Sequence, residues 1–486
     1  MEKKAKNVGK LDNRTKWTYS VGAIGRDMAY VLINMFLITY IQYTMKLTVA
    51  QFSAISAIMV ACLVWDAFND PLMGIIIENS HLKHGKFRPW IIMGAIINAV
   101  VIILLFTLRP GGWLFVAFFG ICYLSWGMSY TMNDISFWGM LPSLTSEPSE
   151  RNTLATMVSS FSSVGQFISA GAIPMLVAGN AVNAYRTIAL VIALCFIAFQ
   201  TLTFLGVKES PRDLQPQQEK LSLKAMFKIF GRNDQLITIG IAMLLYNIGS
   251  GLLLIFGMNF FYFEFGYTLG GELIFLFTVM YGLGTIVSQI IFPMVCKIFT
   301  RKKLLGVMTC LITIGYLLLL MFGYVLPKNT ILLNCIGFLI FFSQGLFNMA
   351  IVIMLNNTIE YDEYRFGERY DSIISAVRSF AVKLAGAVNQ GVVAIVLIIS
   401  GIYAISQNIT NLEIEAGTGA MTKEEVLSNA EYYIGMANST QLLVLRIGMV
   451  VVPILAIGIG YLLICKKYTI DEEKYKELVR EIEARK

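Results

Sequence analysis

The sequence predicts an all-α membrane protein with twelve transmembrane helices in two six-helix pseudo-repeats. Of its 486 residues, 56% are hydrophobic and only 14% are charged, and the mean hydropathy is +0.67. Soluble globular domains contain about 45–50% apolar and about 25% charged residues. Apolar runs longer than ~18 residues recur from Trp17 to Cys465, which is typical of membrane-spanning helices. This composition excludes a soluble enzyme, a nucleic-acid-binding module and a disordered chain.

Twelve apolar segments, six on each side of a polar stretch, define the predicted domains. A cytoplasmic tail at 1–16 precedes an N-terminal six-helix bundle at 17–207. A cytoplasmic central loop with an amphipathic helix occupies 208–235, and a C-terminal six-helix bundle at 236–465 leads into a cytoplasmic tail at 466–486. The predicted spans are 17–45, 50–79, 88–108, 112–141, 154–179, 183–207, 236–265, 270–299, 303–326, 330–359, 371–401 and 441–465.

The placement of lysine and arginine predicts the orientation in the membrane, because cytoplasmic loops carry an excess of both. Few of the 38 basic residues fall on the side opposite the termini. Both termini are therefore predicted to be cytoplasmic, and the first span is expected to be retained, since no small-residue cleavage site follows it. The long acidic loop at 402–440 receives no assigned role. The basic residues on the opposite side are Lys46, Arg109, Arg186, Lys328 and Lys423.

Matching features in the two halves indicate an internal repeat. Glu150-Arg151 opens the fifth span and Glu368-Arg369 opens the eleventh. Basic clusters also follow the second and the eighth span. Two parallel six-helix halves with a site at their interface are typical of secondary transporters. The seven cysteines are scattered singly, and His81 and His84 lack metal-binding partners nearby, so neither a disulfide framework nor a zinc site is expected.

Charged side chains within the predicted spans mark candidate functional positions. Each costs roughly 2.5–3.5 kcal/mol at mid-bilayer on insertion scales and therefore needs a partner, a cavity or a function. Arg446 lies near the end of its span, where its long side chain is expected to snorkel to the membrane surface. The candidates are Arg26, Asp27, Asp66, Asp70, Asp134, Arg378 and Lys383.

The second span carries three oxygen-bearing side chains on one helix face. Asp66, Asn69 and Asp70 stand at i, i+3 and i+4. Two carboxylates this close repel each other, and a bound cation relieves that cost. Hard oxygen ligands suit Na⁺, Li⁺ or a proton rather than a transition metal. The alternative is that Lys383 neutralises the carboxylate pair. The two interpretations, cation binding and neutralisation by Lys383, are compatible.

The fourth span places aromatic side chains beside a carboxylate. Tyr130, Asp134 and Trp138 recur at i, i+4 and i+8 on one face. A sugar ring stacks on an indole while an acid accepts its hydroxyl hydrogen bonds. In the first span Asp27, with Tyr30 one turn on, offers a second acceptor. The alternative is that the aromatic residues are interfacial anchors or packing residues.

Several motifs resemble the glycoside–pentoside–hexuronide:cation symporters, the melibiose-permease branch of the major facilitator superfamily. The resemblance runs in order from about residue 17 to 400 and implies the major facilitator fold. The matching motifs are Gly22–Asp27, Asp66–Gly74, Gly85–Trp90, Tyr130–Trp138 and Glu360–Tyr364.

The resemblance assigns roles position by position. It implies that the coupling cation binds Asp66, Asn69, Asp70 and Thr131, and that Lys383 tunes this site. The sugar-site residues that it implies are Arg26, Asp27, Tyr130, Asp134 and Trp138.

Departures from the family pattern fall in the sugar site. The melibiose permease's span-5 arginine, a sugar ligand, aligns with Ser159 here, and its proline between the span-4 acid and tryptophan is Ser136. A span-10 tryptophan aligns with Asn348. Arg378 replaces a glutamine and is predicted to supply the missing donor, in which case a hexuronide is possible as well as a neutral glycoside. The alternative is that Arg378 only pairs with a nearby acid.

The sequence therefore predicts a symporter that imports a glycoside with Na⁺ by alternating access across a bacterial cytoplasmic membrane. It is not expected to be an enzyme, and it needs no cofactor beyond a coupling ion, Na⁺ or H⁺. The expected partners are the sugar, the ion and the lipid bilayer, with no nucleic acid and no obligate protein partner. H⁺ coupling is the first alternative. A non-transporting sugar sensor and a passive channel are the others.

Overall fold

Helices account for nearly all of the regular structure. The computed structural model describes residues 11–80, 85–145, 147–207, 231–367 and 371–485. The predicted amphipathic helix of the central loop and the Glu368-Arg369 pair lie outside these residues. Among the described residues, twelve helices are long and apolar enough to span a membrane: α1 Asn13–Thr44, α2 Val49–Glu78, α3 Arg88–Thr107, α4 Gly112–Leu144, α5 Pro148–Val177, α6 Ala181–Gly206, α7 Asp234–Phe265, α8 Tyr267–Ile298, α9 Arg301–Met321, α10 Thr330–Phe366, α11 Asp371–Ile399 and α14 Ser439–Lys467. Three further helices are α12 Ile402–Thr418, α13 Lys423–Gly435 and α15 Glu472–Arg485.

Capping side chains explain where several helices begin. The Asp12 carboxylate accepts a backbone hydrogen bond from the first turn of α1. Thr48 and Gln51 form a capping box at the start of α2, and Asn438 and Gln441 form another at the start of α14. These side chains satisfy N–H groups that have no partner within the helix.

The chain divides into two units whose main helix pairs correspond. The first consists of Met1–Gln218 and Tyr403–Tyr433, and the second of Glu219–Ile402 and Ile434–Lys486. In the first unit α1 packs against α5 and α6, α3 against α4 and α6, and α2 against α4. In the second unit α7 packs against α11 and α14, α9 against α10 and α14, and α8 against α10. These five pairs correspond between the units, as expected for six-helix pseudo-repeats, and in the second unit α7 also packs against α8 and α10.

The segment between α11 and α14, to which the sequence assigned no role, belongs to the first unit. Its helices α12 and α13 lie outside the transmembrane set. Glu413 of α12 is 0% exposed, and its carboxylate accepts hydrogen bonds from the N–H groups of Gly179 and Ala181 at the start of α6. The Thr410 hydroxyl donates to the Gln42 carbonyl oxygen of α1 at 2.8 Å. A carboxylate stabilises a helix N-terminus, so Glu413 fixes α12 onto α6.

Candidate functional site

Small residues bring α5 and α6 close to α1 beside Arg26 and Asp27. A Cβ at Gly25 would lie 2.6 Å from a carbonyl oxygen of α6. A Cβ at Gly165 of α5 would overlap a carbonyl oxygen of α1. Only glycine permits backbones to approach this closely. The charged pair on α1 is therefore held at a closely packed crossing of helices.

Arg26 lies between two carboxylates. Its Nη2 and Nε atoms are 2.7 and 3.0 Å from Asp27 Oδ2, and its Nη1 atom is 3.1 Å from Asp134 Oδ1 of α4. Arg26 is only 2% exposed, whereas the Asp134 side chain is 38% exposed. One guanidinium is therefore shared by two carboxylates. Asp134 is thus a partly accessible hydrogen-bond acceptor whose position a buried cation fixes.

Aromatic rings surround the Arg26 guanidinium. Its Cζ atom is 4.7 Å from the ring centroid of Phe137 and 5.4 Å from that of Trp138. The Trp138 side chain keeps an accessible face, since the residue is 38% exposed. Tyr130 stands with its ring centroid 5.5 Å from that of Tyr30 on α1. The predicted sugar-site residues that fall in the first unit are Arg26, Asp27, Tyr130, Asp134 and Trp138, and α1 and α4 supply all of them.

Gln166 of α5 joins this group, and the sequence analysis missed it. Its Nε2 atom donates to Asp27 Oδ1 at 2.8 Å. A polar stripe was the available signal, since Ser162, Gln166 and Ser169 recur at helical spacing along the fifth span. Ser159, where the family has arginine, is exposed. Gln166 is the α5 side chain that contacts the predicted sugar-site acids.

The predicted cation ligands lie where α2 faces α4. Thr131 of α4 donates from its hydroxyl to Asp70 Oδ1 at 3.0 Å. Asp66, one turn before Asp70, and Asn69, directly before it, are both buried. The Asp66 carboxylate packs against Gly127, where a Cβ would lie 2.6 Å from Oδ1. The Asn69 Nδ2 group is buried without a hydrogen-bond partner among the described residues. Two carboxylates, an amide and a hydroxyl form an all-oxygen donor set that suits a hard monovalent cation.

No larger acidic cluster accompanies these residues. Across the described ranges, no group of three or more His, Cys, Asp or Glu side chains is placed to hold a metal ion.

The residues predicted on α11 belong to the second unit. Arg378 is exposed and Lys383 is partly buried. Their predicted roles as sugar donor and as charge partner of the cation ligands stay predictions.

The expectation that Arg446 snorkels is wrong. The residue is 1% exposed, and its Nη2 and Nε atoms lie 2.6 and 3.0 Å from Glu264 Oε1 of α7. Its Nη1 atom donates to the carbonyl oxygens of Leu320 and Phe322. Lys328 approaches the other Glu264 oxygen at 3.0 Å. The sequence analysis did not single out Glu264, because the pairing joins helices far apart along the chain.

The Glu360–Tyr364 motif lies at the end of α10, in the second unit. Asp362 is 1% exposed and pairs with Arg232 at 2.9 Å. Asn233, which caps α7, donates to the same carboxylate at 3.4 Å. The motif therefore fastens the end of α10 to the start of α7.

Known proteins with a similar sequence are sugar carriers. A sequence profile described as MFS/sugar transport protein matches residues 18–472. The lactose permease of Lactobacillus delbrueckii subsp. bulgaricus is 25% identical, over 96% of this chain and 72% of the permease. The raffinose carrier protein of Pediococcus pentosaceus is 24% identical, over 97% of this chain and 72% of the carrier.

Solved structures show the same fold. A bacterial homolog of the human lysosomal transporter Spinster has a TM-score of 0.63 with 12% sequence identity, covering 97% of this chain and 96% of that one. The predicted fold class is thereby confirmed, and so is the prediction that the protein is a transporter rather than an enzyme. Since the profile covers nearly the whole chain, the protein belongs to the MFS/sugar transport family, as one of its glycoside–pentoside–hexuronide:cation symporters.

Proposed function

We propose that this multi-pass membrane sugar transporter imports a glycoside together with Na⁺. The substrate is a di- or oligosaccharide, a pentoside or a hexuronide, and both termini are cytoplasmic. The two units alternate access to the substrates between the two faces of the membrane, as in other secondary transporters built from repeats. Sugar carriers among the relatives support the substrate class, and the oxygen donors on α2 and α4 support the ion.

One observation carries the proposal: a single helix, α4, contributes to both groups of the first unit. Its Thr131 contacts Asp70 at 3.0 Å, and Asp134, less than one turn on, contacts Arg26 at 3.1 Å. A shift of α4 that follows cation binding therefore moves sugar ligands as well. By linkage, the sugar then strengthens cation binding by the same factor.

The donor set favours Na⁺ over H⁺ as the coupling ion. A proton needs one carboxylate, whereas Asn69 and Thr131 add neutral oxygens that a proton does not need. In this assignment Asp66, Asn69, Asp70 and Thr131 bind Na⁺, and Lys383 modulates their charge. Arg26, Asp27, Tyr130, Asp134, Trp138 and Arg378 bind the sugar.

Sugar counterflow in proteoliposomes tests the proposal. Vesicles with the purified protein are loaded with unlabelled lactose or raffinose and diluted into the labelled sugar, with Na⁺, Li⁺ or a large organic cation as the only salt. Uptake driven by a Na⁺ gradient is then compared with uptake driven by a pH gradient in Na⁺-free buffer.

We expect Na⁺ to accelerate exchange and a Na⁺ gradient to drive accumulation above equilibrium. Accumulation driven only by the pH gradient would overturn Na⁺ coupling and establish H⁺ as the coupling ion. Binding of sugar without any exchange would indicate a sensor, and uptake that no gradient can concentrate would indicate a channel.

A further inference from the structure

We propose that the sugar site extends along α4 to Trp126, whose indole N–H group donates a hydrogen bond to a hydroxyl of a second sugar ring. Trp126 is then a specificity-determining residue that selects glycosides of two or more rings. The inference rests on the proposed function and narrows its substrate class.

Trp126 continues the row of predicted sugar-site residues on α4. Tyr130, Asp134 and Trp138 follow it at i+4, i+8 and i+12. The rings of Trp126 and Tyr130 are stacked, with their centroids 5.2 Å apart and their planes inclined by 23°. The aromatic surface of the predicted site therefore continues one turn beyond Tyr130.

Side chains connect α4 to α1 in successive layers. Asp134 contacts Arg26 at 3.1 Å, and one turn nearer the start of α4 the Tyr130 ring centroid lies 5.5 Å from that of Tyr30. Trp126 forms the next layer on α4. Because an α-helix rises about 1.5 Å per residue, the eight residues from Trp126 to Asp134 span ~12 Å. A single pyranose ring held at Asp134 does not extend over this distance, whereas a second ring linked to it does.

Two tyrosine rings fix the plane of the Trp126 indole. Besides Tyr130, it stacks on Tyr123, with the centroids 6.0 Å apart and the planes inclined by 22°. Trp126 is 3% exposed, which is comparable with the 2% of Arg26 and the 4% of Asp27 in the predicted sugar site. The indole N–H group is therefore a buried donor with a fixed direction, as the other donors of the site are.

This N–H group lacks an acceptor. The Trp126 Nε1 atom has no hydrogen-bond partner in the part of the chain that the structure describes. An indole nitrogen can only donate, and buried donors in native proteins almost always have an acceptor. The Nε1 atom of Trp90, in contrast, donates to the Ser80 hydroxyl at 2.8 Å. Beside the sugar site, a hydroxyl oxygen of the substrate supplies the acceptor that Trp126 needs.

Glycosides that differ in the number of rings test the inference on the unmodified protein. Lactose and methyl β-galactoside share a galactosyl ring, as do melibiose and methyl α-galactoside, and cellobiose and methyl β-glucoside share a glucosyl ring. Their affinities are measured with the purified protein at saturating Na⁺ by titration calorimetry. We expect at least one disaccharide to bind about tenfold more tightly than its methyl glycoside. Equal affinities within every pair would overturn the inference.

Trp126→Phe removes the N–H group and keeps an aromatic ring between the two tyrosines. It should weaken binding of the preferred disaccharide about fivefold and change the affinity for its methyl glycoside by less than about twofold. The Na⁺ concentration for half-maximal counterflow should stay unchanged. An equal loss for both sugars would show that Trp126 only supports the first-ring residues, and no loss for either would show that its N–H group contacts no ligand. Each of these results would overturn the inference.

Trp90→Phe is the matched control. It removes the same atoms from an indole at the start of α3 whose N–H group already has an acceptor within the protein. It should lower the melting temperature and leave the affinity ratio between the disaccharide and the methyl glycoside unchanged. If Trp90→Phe changes this ratio as Trp126→Phe does, the effect is structural and the inference is wrong.

Deoxygenated disaccharides locate the contact. Removing the second-ring hydroxyl that accepts from Trp126 should weaken binding to the unmodified protein about fivefold and cause no further loss in Trp126→Phe. If the loss from every second-ring hydroxyl adds to that of Trp126→Phe, the indole does not contact the second ring.

Failure of the inference differs from failure of the proposed function. A protein that transports these sugars without regard to the number of rings is still a sugar symporter, and only the role of Trp126 is then overturned. Failure of every disaccharide and methyl glycoside to bind or exchange would overturn the proposed function itself.

Discussion

Arg26 in the first unit and Arg446 in the second are both arginines buried within membrane spans, but their partners differ. Arg26 is shared by Asp27 and Asp134, and the Asp134 side chain is 38% exposed. Arg446 is held by Glu264, whose side chain is 4% exposed, and by two backbone carbonyl oxygens. The only half-exposed member of that group in the described structure is Lys328.

The difference shows that an intramembrane charge is not by itself a sign of a binding site. The Glu264–Arg446 pair satisfies its hydrogen bonds inside the protein, so it joins α7, α14 and the end of α9. The Arg26 group keeps an accessible acceptor and an accessible indole, so it has capacity for a ligand. We therefore expect the Arg446 group to control folding and the Arg26 group to control binding.

The largest effect is expected at Glu264 and Arg446. Removing one partner of a buried ion pair leaves the other charge uncompensated, which costs about 3–5 kcal/mol. Glu264→Gln and Arg446→Gln should each lower the melting temperature of the detergent-solubilised protein sharply and reduce the amount of folded protein in the membrane. The double substitution should recover part of the loss.

If Glu264→Gln folds normally but its transport is defective, the comparison of the two arginines is wrong. The Glu264–Arg446 pair would then take part in substrate binding. The melting temperature is read from intrinsic fluorescence and checked by size-exclusion chromatography. Asp234→Asn, at an exposed carboxylate of the same unit that pairs with Arg365, is the control and should lower the melting temperature only slightly and leave transport unchanged.

The cation ligands should show a large effect on coupling with little effect on folding. Asp66→Asn and Asp70→Asn each remove a charge that Na⁺ needs, while the sugar contacts on α1 and α4 remain. We expect Na⁺-driven accumulation to be lost and sugar exchange to persist in part. If Na⁺ stimulates uptake in both variants as it does in the unmodified protein, these acids do not bind the coupling ion.

Trp138 should show an intermediate effect, confined to the sugar. Stacking on an aromatic ring contributes on the order of 1 kcal/mol, so Trp138→Ala should weaken sugar binding severalfold and leave the Na⁺ dependence unchanged. Trp113, an exposed tryptophan at the other end of α4, is the control. An unchanged sugar affinity in calorimetric titrations would make Trp138 a packing residue, as in the alternative considered from the sequence.

The sequence predicted those features that depend on periodicity along one helix. The lengths of the apolar runs indicated twelve spans, and helical spacing put Asp66, Asn69 and Asp70 on one face. Contacts between helices were not accessible in this way. Gln166 and Glu264 act through partners on other helices, and nothing in the local spacing of either residue indicates which partner it meets.

The α12–α13 segment was unpredictable for a related reason. The Glu413 carboxylate accepts hydrogen bonds from backbone N–H groups at the start of α6. The sequence does not show which backbone groups a side chain contacts. A loop that is acidic and poor in apolar runs gives no indication that it packs onto another part of the chain. Only the tertiary structure shows that this loop belongs to the first unit.

Glu425, at the start of α13, is exposed, whereas Glu264 is buried. Its substitution should therefore have the smallest effect on stability. The Thr422 N–H and hydroxyl groups donate to its carboxylate at 2.8 and 3.0 Å. These hydrogen bonds, the backbone one first, lower the pKa of Glu425 below the ordinary value of 4.5. Because the pKa is lower in the folded state, the ionised group stabilises the fold above the unfolded-state pKa. This contribution disappears as the pH falls through the folded-state pKa.

Glu425→Gln should therefore lower the melting temperature slightly at neutral pH, and the difference from the unmodified protein should vanish in acid. Glu424→Gln, at the adjacent exposed acid whose carboxylate takes no part in this cap, is the control. Transport should be normal in both variants, because an exposed charge outside the spans neither stabilises the core of a unit nor binds a substrate. A melting-temperature difference that is independent of pH would show that the cap acts without the carboxylate charge. A loss of transport would instead show that an exposed charge outside the spans takes part in transport. That result would contradict the comparison of Arg26 with Arg446, from which we expect binding to depend on groups inside the spans.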